Sequence, residues 1–421
     1  MNVTISPSVP NGTVRVISSK SAAHRLLICA AFADSPTVIR CDNVNDDIRA
    51  TAQCLGAIGA KISYERPYFS VTPLAVPNEN AVLDCKESGS TLRFLLPVVC
   101  ALGINAEIRM SGRLPNRPLS PLYEQLVFHG ARLSPQGSNP LLCGGKLTGG
   151  EYRLRGDVSS QFISGLLFAL TFSRVGGSVI IEGTTESAPY IDMTVNALER
   201  FGASPQKTSD GYEIDSNAIL TSPRRIEVEG DWSGAAFPLC TGAVSNGTVT
   251  VTGLDPNSKQ GDRAIIDILR DFGADVIQTE NAYTVRGGNP LRGIDIDATQ
   301  IPDAVPALAA VAAVSEGRTH IYGAARLRHK ESDRIASVCA MLTSLGADVR
   351  PTDDGMIIHG KKYLSGGTVD SFGDHRIAMS AAVASVACTS RVTVTGAECV
   401  SKSYGEFWEH TKKLGLKLEM T

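Results

Sequence analysis

The chain has 421 residues, 43% hydrophobic and 20% charged, with a formal net charge of −3. That length points to two or three domains or one large repeated architecture, and Gly and Pro stay well below the share that marks low-complexity sequence, which excludes extended disorder. No run of like charges marks a nucleic-acid or membrane-surface tail, and the longest apolar stretches, such as Val305 to Val314, fall far short of the roughly 18 to 20 residues needed to cross a bilayer.

The first residues, MNVTISPSVPNG, lack the basic start and apolar run of a signal peptide, so a cytoplasmic protein is expected. The ten cysteines are scattered without a C-x-x-C pair and read as small core residues. The seven histidines show no ligand spacing, so no metal is expected.

A helix-like stretch ending in an apolar residue, Gly and a small residue recurs six times along the chain, at Gly59, Gly130, Gly202, Gly273, Gly346 and Gly415. The spacings are 71, 72, 71, 73 and 69 residues. Each Gly stands where a helix needs a left-handed C′ residue. A second series interleaves with the first: a polar helix start, an apolar helix, a Gly- or Ser-containing turn and a Val/Ile-rich strand. Its helices are predicted to begin near Ser21, Ser90, Ser160, Ser233, Asp303 and Asp374. Being apolar nearly all round they should be buried, whereas partners such as GDRAIIDILRDFG carry charge on one face and should be exposed. The fold class is therefore α/β, with six repeated units of about 70 residues, buried helices inside curved sheets, and two similar domains around a cleft. The division should fall near NAILTSPRR.

Residues that break the apolar pattern gather at the buried helix starts, where unpaired N–H groups favour anions. The first start carries Ser19, Lys20, Ser21 and Arg25; an ordinary serine cap flanked by solvated cations fits the same residues. The third offers Ser159, Ser160 and Gln161 as neutral donors, and Ser-Ser is also an ordinary cap. In the fifth, Asp303 follows Pro302 and could itself be a cap. The segment ARLRHKESDRI packs Arg326, Arg328, His329, Lys330, Glu331, Asp333 and Arg334 together, and FGDHRIAMS sets His375 and Arg376 after a capping Asp374.

SSKSAAHR, ESGSTLR, NRP, VSSQF, ESAPYID, IPDA, RHKESDR, GDHRIAM and SKSYGEF, in this order, resemble the 5-enolpyruvylshikimate-3-phosphate synthase family over essentially the whole chain. The resemblance implies transfer of the enolpyruvyl group of phosphoenolpyruvate to the 5-hydroxyl of shikimate 3-phosphate, releasing phosphate through a tetrahedral intermediate, in aromatic amino-acid biosynthesis. It also implies two domains that close on the ligands: residues 19–228 as one, and residues 1–18 with 229–421 as the other. Lys20, Ser21, Arg25, Ser159, Ser160, Gln161, Ser187, Asp303, Arg326 and Lys330 would hold shikimate 3-phosphate. Lys20, Gly89, Arg117, Gln161, Arg334, Arg376 and Lys402 would surround phosphoenolpyruvate. Asp303 would take the hydroxyl proton and Glu331 exchange protons at carbon, with Lys20 as a further acid. No cofactor or metal is implied, nor any nucleic-acid or membrane partner, and a monomer is expected.

Three positions depart from the family pattern: Arg326 stands where well-known members carry Asn, Ser90 replaces a Thr, and Ala188 stands where some have Lys. The alternative is the sister family that moves enolpyruvyl onto UDP-N-acetylglucosamine. It typically uses Lys-Asn near the first helix and a loop Cys as acid, whereas RLPNRPLS here has no Cys.

Overall fold

The computed structural model describes residues 1–421. The chain divides into two compact units, an inserted unit Lys20–Val228 and a terminal unit formed by Met1–Ser19 with Glu229–Thr421. It passes between them twice, at residues 19–20 and 228–229. In the terminal unit the Ser19 N–H donates to the Glu229 carbonyl at 2.8 Å, and in the inserted unit the Val228 N–H donates to the Arg40 carbonyl at 2.9 Å. No helix is long and apolar enough to cross a membrane.

The inserted unit contains α1 (Lys20–Ala31), α2 (Asp46–Ile58), α3 (Gly89–Leu102), α4 (Leu122–Phe128), α5 (Ser160–Ser173) and α6 (Ala188–Arg200). The terminal unit contains α7 (Trp232–Ala243), α8 (Ile265–Asp271), α9 (Val305–Ala312), α10 (Arg334–Ser344), α11 (His375–Ser385) and α12 (Phe407–Lys413). Odd-numbered helices are the apolar ones, and every residue of α7, α9 and α11 is buried. Even-numbered helices bury one face; α2 buries Ile48, Ala50, Thr51, Cys54, Leu55 and Ile58. Each unit has its own core, and a fully buried Leu or Phe within it contributes about 1.5–3 kcal/mol. All ten cysteines are buried and free.

Every even-numbered helix runs out at one of the six repeat glycines, and all six have positive φ, from +81° at Gly202 to +132° at Gly59. A side chain at these positions would be strained in the left-handed region, which is why the sequence repeats there. The helix starts need correction. Ser88, not a residue nearer Ser90, caps α3 by accepting the Thr91 N–H, and Asp231 caps α7 ahead of Ser233. Helix α9 starts at Val305 with no side-chain cap, so Asp303 is not a capping residue.

There are six four-stranded sheets, three to a unit. In the regular copy, strand Asn80–Asp84 pairs in parallel with Asn105–Arg109 across α3, and the hairpin after α4 returns Leu141–Gly145 antiparallel beside it. Two sheets of the terminal unit are completed by the first residues of the chain. Asn11–Arg15 pairs in parallel with Thr248–Thr252, and Asn2–Ser6 lies antiparallel between Val392–Thr395 and Lys417–Met420.

Candidate active site

In the terminal unit the polar cluster is built on the starts of α9, α10 and α11. Arg334 is almost fully buried and binds three carboxylates: Nη1 to Asp303 Oδ1 at 2.9 Å, Nη2 to Glu331 Oε2 at 2.6 Å and Nε to Asp374 Oδ2 at 2.9 Å. Asp374 is fully buried, caps α11 by accepting the Arg376 N–H, and also accepts from Ser332 Oγ at 3.0 Å. Arg376 reaches Asp303 twice, Nη2 at 3.1 Å from the carboxylate and Nη1 at 2.9 Å from the backbone carbonyl. Lys330 Nζ lies 3.9 Å from the same carboxylate.

Asp303 thus faces three cations. Burial alone would raise its carboxyl, but Arg376, Lys330 and Arg334 outweigh burial and hold it well below the usual carboxylate range. Desolvation pushes Lys330 down to about 8 against the pull of Asp303. Buried His375 lies 3.9 Å from the Asp374 carboxylate. Lys402 donates to the Gly373 carbonyl at 3.1 Å, and Arg326 to the Thr299 carbonyl at 2.9 Å. Arg328 ties Asp333 to the carbonyls of Thr352 and Asp353, so part of the charged run is structural.

In the inserted unit the cluster lies on the starts of α1, α3, α5 and α6. Lys20 pairs with Asp47 of α2 at 2.8 Å. Arg25 is buried and bonded through all three nitrogens: Nε donates to Thr194 Oγ1 at 2.8 Å, Nη1 to the Ser21 carbonyl at 2.8 Å and Nη2 to the Tyr190 carbonyl at 2.7 Å. Gln161 joins two helix starts, its amide donating to Ser90 Oγ at 2.9 Å and its oxygen accepting from Arg93 Nη1 at 2.9 Å. The Ser at position 90 therefore keeps a hydroxyl that holds Gln161. Ser159 occupies the N-cap of α5 without a side-chain capping bond, so the ordinary-cap reading does not describe it. Ser187 is buried with φ +53°, a left-handed conformation that is costly for a serine and typical of functional turns.

Gly89 opens α3 where two guanidiniums converge. A Cβ there would lie 2.8 Å from Arg117 Nη1 and 2.9 Å from Arg93 Nη1, so a side chain at this position would displace one or both cations. The Arg117 guanidinium makes no ion pair within the protein and its buried Nε has no partner. A cation held against a glycine with its donors unspent suits a carboxylate or phosphate oxygen.

Three residues of these clusters escaped the sequence reading. Arg93 sits one turn past Gly89 in an otherwise apolar helix and closes the motif ESGSTLR, but the motif alone gives it no role. Asp47 reads as a helix-start acid. Asp262, in the turn before α8, leaves no periodic trace, yet it is buried, hydrogen-bonded by Ser233 Oγ through Oδ2, and has no partner at Oδ1. Burial first, then the Asp303 charge, push Asp262 up to about 7. An unfolded chain loses this proton near pH 4, whereas the folded one keeps it to about 7. The unfolded state therefore binds fewer protons in between, and stability from this group falls as pH rises through that window. Asp262→Asn is expected to flatten the decline in unfolding midpoint between about pH 5 and 7, measured calorimetrically; an unchanged slope would mean the carboxyl is already ionised.

Residues 6–411 match the family model of EPSP synthase (3-phosphoshikimate 1-carboxyvinyltransferase). The chain is 41% identical over 425 residues to a 3-phosphoshikimate 1-carboxyvinyltransferase of Clostridium kluyveri, covering 99% of this chain and 98% of that protein. It is 37% identical over 419 residues to one from Methanocorpusculum labreanum, covering 99% of both. Among solved structures, EPSP synthase from Acinetobacter baumannii superposes with a TM-score of 0.83 at 26% identity over the full length of both chains. The enolpyruvyl transferase NikO from Streptomyces tendae shares the fold, with a TM-score of 0.78 at 19% identity over 100% of this chain and 98% of that one. On this full-length match and the ordered motifs that carry the two clusters, the chain belongs to the EPSP synthase family.

Proposed function

We propose that this protein transfers the enolpyruvyl group of phosphoenolpyruvate to the 5-hydroxyl of shikimate 3-phosphate, releasing phosphate. The observation that carries the residue roles is Asp303, a partly buried carboxylate held by three cations that are themselves candidates for binding the anionic substrates. With no ligand, Arg334, Arg376 and Lys330 neutralise Asp303 and keep it a weak base. Substrate anions drawing on these cations loosen their hold on Asp303 and raise its basicity when the 5-hydroxyl is in place.

In this reading Asp303 takes the hydroxyl proton as the oxygen bonds to the central carbon of phosphoenolpyruvate, and Glu331 delivers a proton to the methylene carbon. The tetrahedral adduct then breaks its bond to the phosphate oxygen, and the methyl group returns a proton to rebuild the double bond. Lys20, Arg117, Arg334, Arg376 and Lys402 stabilise the charge on donor and leaving phosphate, work that preorganised cations do well in a dry site. Ser21, Arg25, Ser159, Ser160, Ser187 and Lys330 hold shikimate 3-phosphate, with Gln161 serving both substrates. Arg25, already committed to three partners, contributes charge and rigidity more than free donors. Arg326 spends one nitrogen, Nη2, on the Thr299 carbonyl.

Phosphate release from phosphoenolpyruvate with shikimate 3-phosphate as acceptor tests the reading. Turnover with UDP-N-acetylglucosamine instead would overturn it. Because the proposed ligands of shikimate 3-phosphate come from both units, closure is part of the proposal, and small-angle scattering should record a smaller radius of gyration with saturating ligand. An unchanged radius counts against closure.

Gly89 gives a second test. The herbicide glyphosate, longer than phosphoenolpyruvate, is expected in the donor site. Gly89→Ala should raise its inhibition constant more than the Michaelis constant for phosphoenolpyruvate, because the methyl displaces Arg117 and Arg93 and the longer ligand tolerates that less. Equal shifts in inhibition titrations would mean that both ligands feel the displaced cations alike.

A further inference from the structure

A buried line of hydrogen bonds links the starts of α1 and α3 through α2. His24 Nδ1 lies 2.7 Å from Thr51 Oγ1, Thr51 Oγ1 lies 2.7 Å from Thr91 Oγ1, and Thr91 Oγ1 donates to Ser88 Oγ at 2.8 Å. Ser88 also accepts the Thr91 N–H at 3.2 Å, which makes it the cap of α3. His24, Thr51 and Thr91 are fully buried and Ser88 nearly so. On α1, His24 stands one turn beyond Lys20, and on α2, Thr51 stands one turn beyond Asp47, so the Lys20–Asp47 ion pair and the His24–Thr51 bond form two rungs between the same helices.

Counting protons orients the line. Each threonine has one hydroxyl proton, and that of Thr91 goes to Ser88. Thr51 must then donate to Thr91, which leaves Thr51 to accept from His24 Nδ1–H. The opposite orientation would place the imidazole proton on Nε2, which is buried without a partner, and a buried N–H with no acceptor is rarer and costlier than a bare ring nitrogen. Burial, reinforced by Lys20 and Arg25, holds His24 well below its ordinary pKa, so the ring is neutral. Thr51 is the α2 partner of the ring, and Phe94 of α3 meets it edge-on at 6.4 Å between centroids.

We propose that His24, Thr51, Thr91 and Ser88 form a one-directional hydrogen-bonded relay that positions Gly89 and its flanking guanidiniums against the Lys20 helix start for the donor substrate. None of the four touches substrate in this proposal; they are positioning residues. A line in which the protons of His24 Nδ1, Thr51 and Thr91 all run toward Ser88 polarises along its length and favours one arrangement of the two helix starts. The proposal rests on the reading of Lys20 and Gly89 as parts of the donor site.

Thr51→Val removes both central bonds at nearly constant volume, and Thr51→Ser retains them. Thr51→Val is expected to lower kcat/KM for phosphoenolpyruvate roughly tenfold or more in protein that is folded by circular dichroism at the assay temperature, with Thr51→Ser close to the parent. Nitrogen-15 NMR of the unmutated protein should show His24 as the neutral Nδ1–H tautomer. An Nε2–H tautomer or an imidazolium overturns the relay whether or not the variants fold. A Thr51→Val protein that loses thermal stability but keeps its donor kcat/KM overturns the positioning role, as does a Thr51→Ser protein no better than Thr51→Val. Absence of phosphate release by the unmutated protein would count against the functional reading and leave the tautomer result standing.

Discussion

Asp303→Asn is expected to lower turnover by at least about 100-fold, equivalent to about 2.7 kcal/mol of transition-state stabilisation, while shikimate 3-phosphate still binds. Asparagine keeps the size and one acceptor oxygen of the side chain but cannot take the hydroxyl proton. It also withdraws the counter-charge from Arg334, Arg376 and Lys330, all within 4 Å of the carboxylate. Those cations would then face the anionic substrates uncompensated, so affinity should hold or improve as turnover collapses. Rapid-quench turnover and equilibrium binding separate the two effects. Equal loss of binding and turnover in a protein of unchanged circular dichroism would show Asp303 to be a ligand contact only.

Arg334→Ala is expected to destabilise the protein by about 3–5 kcal/mol, the range for breaking a buried ion pair by removing one partner. One guanidinium here serves Asp303, Glu331 and Asp374, and Asp374 is fully buried while capping α11. Without Arg334, Asp374 must protonate or draw in water, and either change weakens the helix start that carries Arg376. Urea unfolding measures the loss. Adding Asp374→Asn to Arg334→Ala should recover part of it, since neighbouring changes in one network do not add. A loss below about 1 kcal/mol would mean that the carboxylates are satisfied by other groups.

Features set by one stretch of backbone were readable from the sequence. Each repeat glycine answers a local need for positive φ, and buried helices are apolar on all sides whatever they pack against. Charged groups at buried helix starts stood out because they interrupt that apolar pattern, as Lys20, Asp303 and Arg376 do. What escaped depends on distant partners. Arg93 meets Gln161 across 68 positions, and Asp262 meets Ser233 across 29. His24 looks like part of an apolar helix until Thr51 and Thr91 come beside it. Helix starts shifted by a residue or two because several polar residues compete for each cap, and packing decides whether Ser88 or Ser90 takes it. The strand pattern of NVTIS is legible too, but nothing within it names its neighbours, and Thr4 meets Thr393 across 389 positions.

That last pairing bears on how the protein is made. All three sheets of the Lys20–Val228 unit are built from its own residues, so the unit can fold as soon as Val228 has left the ribosome. The strands at Asn2–Ser6 and Asn11–Arg15 precede this unit in the chain, yet the first of them lies between Val392–Thr395 and Lys417–Met420, which are synthesised well after it. At about 5–20 residues per second, it waits roughly 20–80 s for its partners. During that interval the edges of the Asn2–Ser6 strand stay unpaired, which makes that segment the natural place for a holding chaperone to act and for a protease to cut an unfinished chain.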